Sequence, residues 1–148
     1  MCIIRMTAER FSLRIDYDGS GNYVTVGTLS AEVIGVWESS DLENWTQKSI
    51  ISSPAPTLAS IAYGANKWVV VSGSSVYYST DLINWTAVPL SHGLYRIRFL
   101  NGQFIATVRK TGTSTADGTI CYTSTDGVTW TARTTTPYIS EIKGFKIY

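Results

Sequence analysis

The sequence predicts an all-β protein made of three repeated units, each with four short antiparallel strands. Two observations support this: one phrase recurs three times, and turn residues divide the stretches between its copies into short apolar runs. No stretch combines helical periodicity with helix caps. The recurring phrases are SSDLENWT at 39–46, YSTDLINWT at 78–86 and YTSTDGVTWT at 122–131.

The repeats have a constant internal layout. An Asp and a Trp lie four residues apart in every copy, and the successive Asp residues are separated by 40 and then 45 residues. Upstream of each phrase, an aromatic residue, a turn and a second aromatic residue recur in order. These pairs are Tyr17 and Tyr23, Tyr63 and Trp68, and Phe99 and Phe104. Four antiparallel strands in about 40–45 residues match the repeat of a β-propeller blade.

These repeats predict the domain organisation. The chain of 148 residues is expected to form a single propeller or partial-propeller domain over residues 1–148. The predicted blades cover about 11–50, 58–90 and 94–134, with an extra C-terminal strand at about 139–148.

The third phrase resembles a known repeat. Residues 124–130, STDGVTW, look like the Asp-box or BNR repeat of sialidase-type propellers, although the Asp-to-Trp spacing is one residue shorter. The first two copies replace the Gly-Val-Thr portion by Leu-Glu-Asn and Leu-Ile-Asn. The resemblance implies a β-propeller in which the phrase lies between the third and fourth strands of each blade.

Within the phrase, three positions are predicted to be structural. The Asp and Ser side chains suit hydrogen bonds to turn N–H groups, and the Trp offers apolar area where one blade packs on the next. Stacked units need identical copies, whereas a catalytic site does not. The residues concerned are Ser39, Asp41, Trp45, Ser79, Asp81, Trp85, Ser124, Asp126 and Trp130.

Composition and motifs exclude several classes of function. The net charge of +1 does not favour nucleic acid as a partner, and no run is long enough for membrane insertion. Two Cys and one His give no disulfide framework or metal-ligand spacing, so no metal or cofactor is predicted. Cys121 lies in an apolar strand pattern and is predicted to be a buried thiol.

Loops at one end of the blades are the predicted binding surface. In an up-and-down blade, the second turn and the linker to the next blade lie at the end opposite to the recurring phrase. The variable segments 52–58, 89–93, 109–119 and 134–138 fall there, and loops on rigid scaffolds often bind ligands. The candidate residues are His92, Tyr95, Arg109, Lys110, Asp117 and Tyr138.

The first strands carry charged residues among apolar ones. Since first strands line the central channel of a propeller, these charges are candidates for facing it, where they are solvated by channel water or form an anion site. They are Arg14, Asp16, Arg96 and Arg98.

We expect a non-enzymatic binding or structural module. The Arg-Ile-Pro signature of sialidases is absent, and the Glu residues show no clustering typical of a catalytic site. The repeats also resemble those of bacteriophage virion proteins and bacterial surface proteins, which implies a virion structural or host-adhesion component. The alternatives are a glycan-processing enzyme of sialidase-like fold and a bacterial propeller of the assembly-factor type.

Partners and location follow from that expectation. Three blades are fewer than the four to eight of a typical propeller, so a homo-oligomer or assembly with other virion proteins is predicted. A glycan or host surface is the expected ligand. The chain lacks a signal-peptide pattern, so the predicted location is the virion, with the cytoplasm as the alternative.

Overall fold

The computed structural model describes residues 10–54, 59–109 and 119–134 and arranges them in three four-stranded antiparallel sheets. Within each sheet the strands lie in chain order, and these residues contain no helix. Blade A contains β1 (Arg10–Tyr17), β2 (Tyr23–Ser30), β3 (Val33–Ser39) and β4 (Thr46–Ser52). Blade B contains β5 (Ser60–Gly64), β6 (Lys67–Ser72), β7 (Ser75–Ser79) and β8 (Thr86–Pro89). Blade C contains β9 (Leu94–Leu100), β10 (Gln103–Val108), β11 (Thr119–Ser124) and β12 (Thr131–Thr134).

The predicted all-β class, with three four-stranded antiparallel units, is confirmed. The proposed strand at 139–148 lies outside the described residues.

Tight turns connect the first two strands of blades B and C. Ala65 and Asn66 have φ of 47° and 57°, and Asn101 and Gly102 have φ of 50° and 74°. Two successive positive φ values give the twist that a two-residue antiparallel hairpin requires. The turn sequences therefore set the strand register locally.

An aromatic pair flanks the first turn of every blade. The two rings come from residues directly opposite each other on the first and second strands, and their centroids are 4.7 Å apart in all three blades. Cross-strand aromatic pairs stabilise antiparallel sheets beyond the area that they bury. The pairs are Tyr17 and Tyr23, Tyr63 and Trp68, and Phe99 and Phe104.

The hydrophobic core lies between the blades. One cluster joins blades A and B, and a second joins blades B and C. Strand β6 serves both clusters: Trp68 and Val70 face blade A, whereas Val69 and Val71 face blade C. The outer strand β12 is exposed at every residue. Burial therefore depends on how many sheets flank a strand.

Gly64 allows the first strands of blades B and C to approach closely. A Cβ placed on Gly64 would lie 2.2 Å from the Phe99 ring. This glycine is therefore required by packing between the two blades.

Candidate functional site

A cavity of about 290 Å³ lies between the first strands of the three blades. Its lining is contributed by the first strands of the three blades, β1, β5 and β9. The lining residues are Ile15, Asp16, Ile61, Ala62, Ile97, Arg98, Phe99 and Leu100. We call this space the channel cavity.

The three blades contribute chemically different residues to one level of the channel cavity. Asp16, Ala62 and Arg98 occupy equivalent positions, because each pairs with the same position of the second strand of its blade. An acid, a small apolar residue and a base thus face the same space. The small side chain of Ala62 keeps the middle position of this level open.

Asp16 is tied to the neighbouring blade. Its Oδ2 accepts a hydrogen bond of 2.6 Å from the backbone N–H of Tyr63. Such a charge-assisted bond is shorter and stronger than one between neutral groups. The bond fixes the carboxylate in the channel cavity and leaves its second oxygen to face other groups.

Arg98 is the least satisfied polar group of the channel cavity. The side chain is half-buried, and its Nε is buried with no hydrogen-bond partner. Within the described part of the chain, the recorded ion pair is Lys48 with Glu38, and none joins Arg98 to Asp16. A buried N–H without an acceptor costs about 1–3 kcal/mol. The guanidinium therefore favours a ligand that brings an acceptor oxygen.

Apolar side chains surround these two charges. Ile61 and Ile97 are buried in the wall, whereas Ile15 and Leu100 are 45 % and 39 % exposed. The arrangement suits a ligand with one hydrogen-bonding end and an apolar body. No group of three His, Cys, Asp or Glu side chains is placed to hold a metal in the ranges that the structure describes.

Part of the predicted loop surface is assembled at the opposite end of blade C. The Arg109 N–H donates to the Gly93 carbonyl at 2.7 Å, which brings the exposed Arg109 beside the turn that carries His92. Tyr95 is 44 % exposed and lies under the guanidinium of Arg96, 4.9 Å from the ring centroid. Lys110, Asp117 and Tyr138 lie outside the described residues.

His92 contributes to packing between blades. Its Nδ1 is 2.6 Å from the Tyr122 hydroxyl, and the two ring centroids are 6.0 Å apart. Tyr122 is 5 % exposed and belongs to the core between blades B and C. The imidazole is therefore engaged within the protein.

The recurring phrase forms the same hydrogen-bonded turn in each blade. In blade B, Asp81 accepts bonds of 2.8 Å from the backbone N–H groups of Ile83 and Asn84. Ser79 donates to Asp81 at 2.9 Å and accepts from the Leu82 N–H at 3.0 Å. The bond from the Asn84 backbone N–H is the main cause that holds the pKa of Asp81 well below its ordinary value.

Blades A and C repeat this turn with small changes. Asp41 accepts from the Asn44 N–H at 2.7 Å, and Asp126 accepts from the Thr129 N–H at 2.8 Å. In blade A the Asn44 side-chain amide adds a bond of 2.8 Å to Asp41. The Leu-x-Asn variants of the phrase therefore keep the geometry of the third copy.

The Trp residues of the three turns differ in their partners. Trp85 donates to Ser49 Oγ of blade A at 2.9 Å, and Ser49 in turn donates to the Leu82 carbonyl at 2.6 Å. Trp45 and Trp130 instead donate to carbonyls of their own turns, at 3.3 Å and 3.2 Å. Trp85 thus ties the turn of blade B to the outer strand of blade A.

Sequence reasoning found the charges of the channel cavity but not the cavity. Asp16 and Arg98 were recognisable as charges on first strands, and both line it. The sequence alone does not predict that Ala62 lines the cavity, because small apolar residues are common in strands. Arg96 is exposed outside the lining, and the side chain of Arg14 is outside the described part.

Comparison with known proteins supports the fold class. No protein-family model and no curated protein matches the sequence. Among solved structures, the chain is similar to YCF48 bound to D1 peptide, with a TM-score of 0.62 and 18 % sequence identity. The similarity covers 87 % of this chain and 40 % of the YCF48 chain. YCF48 is a β-propeller, and the three sheets described above have the form of propeller blades.

The chain therefore has a β-propeller-type fold, represented by three four-stranded blades. It spans less than half the length of the propeller that it matches. The part that the structure describes contains no helix with the length and hydropathy to cross a membrane.

Proposed function

We propose that this chain is a non-enzymatic binding module whose channel cavity takes a segment of a partner protein. The observation that carries the proposal is the buried Arg98 N–H without an acceptor, in a cavity that also holds the Asp16 carboxylate and an apolar wall. A peptide carries carbonyl acceptors, amide donors and apolar side chains together. It therefore matches all three kinds of group.

The structural neighbour supports the same class of ligand. YCF48, which has similar blades, was solved with a D1 peptide bound. For the present chain, a peptide carbonyl or carboxylate would accept from Arg98, and an amide N–H would donate to the free oxygen of Asp16. An apolar side chain of the peptide would contact Ile15 and Leu100.

Peptides selected from a random displayed library against the purified protein test this proposal. Calorimetry then compares Arg98→Met with Arg133→Met, which removes the same charge from the exposed outer strand. We expect Arg98→Met to weaken the selected peptides about tenfold or more, since a charged hydrogen bond is lost, and Arg133→Met to retain them. Equal affinity for both variants would exclude the channel cavity as the site.

The non-enzymatic part of the proposal has its own test. Incubation with a panel of sialosides and other glycans is expected to give no products. Specific turnover would instead establish the glycan-processing alternative.

Within this class we propose a virion structural or adhesion component that self-associates or binds other proteins of the same particle. The support is the likeness of the three repeats to those of bacteriophage virion and bacterial surface proteins. Immunogold labelling of purified particles tests this assignment. Labelling confined to host cells, with unlabelled particles, would favour an assembly factor.

A further inference from the structure

Each blade has two faces that can pack against other blades. The forward face meets the blade that follows it in the chain, and the rear face meets the blade that precedes it. In blade B, Val69 and Val71 of the forward face belong to the cluster shared with blade C. Ile61 and Leu82 of the rear face belong to the cluster shared with blade A. Equivalent positions define the forward and rear faces of the other two blades.

The rear face of blade A carries exposed apolar side chains at positions that are buried in blades B and C. Ile15, Ile61 and Ile97 pair with the same position of the second strand in their blades. Ile15 is 45 % exposed, whereas Ile61 and Ile97 are 2 % and 0 % exposed. Leu42 and Leu82 share one turn position, and they are 37 % and 4 % exposed. The rear face of blade A thus has the side chains of a blade interface, with much of their surface in water.

An internal contact shows what Leu42 would meet on a preceding blade. A Cβ placed on Gly127, in the third turn of blade C, would lie 3.0 Å from Cγ2 of Val69 on the forward face of blade B. Leu42 occupies the Gly127 position in blade A. Ile105 occupies the Val69 position in blade C, and it is only half-buried. Register therefore matches Leu42 with Ile105, but one chain holds them at opposite ends of its three blades.

The charges on the channel side of these two faces are complementary. Asp16 reaches the first strand of the following blade, because it accepts the bond of 2.6 Å from the Tyr63 N–H. Arg98 occupies the Asp16 position in blade C, so its longer side chain reaches the same region of a blade placed after blade C. Within one chain, blade B lies between Asp16 and Arg98. A second blade A placed after blade C would bring a carboxylate into the adjacent blade at the level of Arg98.

We infer that the rear face of blade A binds the forward face of blade C in a second copy of the chain, an interface that rests on the self-association proposed above. Leu42 of one copy packs on Ile105 of the other, and Asp16 of the first copy lies beside Arg98 of the second. Two identical junctions of this kind close two copies into a ring of six blades, within the range of about four to eight for propellers. The second copy then forms the other half of the channel wall.

The ring leaves the channel cavity able to bind a peptide. A guanidinium has five N–H donors in a planar fork, so Arg98 can donate both to the second copy and to a peptide carbonyl. Leu42 and Ile105 do not belong to the lining of the channel cavity. Association of two copies and peptide binding are therefore properties that can be measured separately.

Two variants that each alter one face test which faces meet. Leu42→Glu and Ile105→Lys each place an unpaired charge in both junctions, so either variant alone is expected to have the 16.3 kDa mass of one chain at micromolar concentration. Mixed in equal amounts, they should form a species of twice that mass. In the mixed dimer one junction is native, and the other sets opposite charges against each other. Analytical ultracentrifugation measures the masses, and circular dichroism melts check that each variant is folded.

Ile105→Glu is the matched control for the sign of the charge. Mixed with Leu42→Glu, it also leaves one native junction, but the other junction then contains two carboxylates. We expect this pair to associate about tenfold or more weakly than Leu42→Glu with Ile105→Lys. Ile83→Glu, which adds the same charge to an exposed turn residue of blade B, should keep the mass of the native protein.

The charge pair at the channel is tested without altering the apolar contact. Arg98→Met should weaken the native dimer about tenfold or more, because each junction loses a charged hydrogen bond. Lys67→Met removes a positive charge from blade B and should leave the dimer unchanged. Equal dissociation constants for these two variants would remove Asp16 and Arg98 from the interface.

Three results would overturn the inference: a native protein of 16.3 kDa, a mixture of Leu42→Glu and Ile105→Lys that stays at that mass, or either variant alone at twice that mass. The second and third would mean that copies associate through other surfaces. Failure of selected peptides to bind the channel cavity, with the mixing result as expected, would exclude the proposed peptide site and leave this interface standing. The two proposals therefore succeed or fail separately.

Discussion

At the scale of single residues, the most informative comparison is between Leu42 and Leu82. Both occupy the same turn position, with φ of 64° and 65°, where the third copy has Gly127 with φ of 77°. A non-glycine residue in this left-handed region is strained by about 1–3 kcal/mol. Leu82 is only 4 % exposed, whereas Leu42 is 37 % exposed. Leu82 therefore gains more burial to offset this strain than Leu42 does.

This difference predicts that blade B tolerates glycine at this turn position less well than blade A does. Leu82→Gly should lower the free energy of unfolding by about 2–4 kcal/mol, because lost burial outweighs the relief of strain. Leu42→Gly should change it by less than about 1 kcal/mol. Urea denaturation of both variants measures this, and equal destabilisation would contradict it.

The Ser–Asp turns also predict how stability responds to acid. Hydrogen bonds, first of all from the Asn84 backbone N–H, hold the pKa of Asp81 below its ordinary value of 3.8. A carboxylate with a depressed pKa in the folded state stabilises the fold above its unfolded pKa. That contribution is lost as the pH falls toward the folded pKa.

As the pH is lowered below about 4, we therefore expect the melting temperature to drop more steeply in the native protein than in Asp81→Asn. The reason is that the Asn side chain at position 81 does not titrate. Thermal melts followed by circular dichroism between pH 7 and 2 measure the slopes. Glu43→Gln, a charge removed from an exposed position of an equivalent turn, is the matched control. Parallel slopes for the native protein and Asp81→Asn would exclude a role for this bond network.

At the scale of elements, the position of a strand in its blade determines its burial. Strand β6 is buried at Trp68, Val69, Val70 and Val71 because blades cover both of its faces. The outer strands β8 and β12 are mostly exposed because fewer neighbouring strands and blades cover them. The hairpins between them are set locally, so the length of a connecting loop should matter little for folding.

The segment between β10 and β11 tests that expectation. Replacing residues 110–118 by a Gly-Ser turn, as found between β6 and β7, should leave the melting temperature nearly unchanged, because closure entropy depends only weakly on loop length. Ligands of the predicted loop surface at His92, Tyr95 and Arg109 should bind more weakly, whereas channel-cavity peptides should keep their affinity. Melting curves and calorimetry on one variant measure both. A large loss of stability would show that the loop is structural.

At the scale of the whole molecule, the outward face of blade C differs from the internal interfaces between blades. In blades A and B, the face toward the next blade carries three buried Val residues: Val24, Val26 and Val36, and Val69, Val71 and Val76. In blade C the equivalent positions hold Ile105, Thr107 and Cys121, and the first two are only half-buried. Cys121 is buried, as predicted, and burial raises the pKa of its thiol.

We predict that the chain self-associates, with two copies contributing six blades. Light scattering at micromolar concentration should then give a mass above the 16.3 kDa of one chain. Leu42→Glu should lower that mass, because Leu42 occupies the position that packs against a preceding blade at Leu82. Ile50→Glu, which adds the same charge at the exposed side chain of Ile50 on outer strand β4, is the control. A 16.3 kDa species with a cooperative melt would contradict the prediction.

Much of the fold could be predicted because the signals were local. Alternating apolar residues, Gly and Asn turns and the repeated Asp-to-Trp spacing each act over a few residues, so strands and hairpins follow from the chain itself. The aromatic pairs were readable for the same reason, since Tyr63 and Trp68 flank one short turn.

The sites depend on residues that are distant in sequence. Asp16, Ala62 and Arg98 meet only because the blades are arranged so that equivalent positions share one level of the channel cavity. Ile50 and Ile83 form a groove only because β4 packs beside the third turn of blade B. By itself the sequence determined the strands, their turns and the number of blades, which are properties of short segments. Which equivalent residue is buried, and where a cavity remains open, was decided by packing between blades.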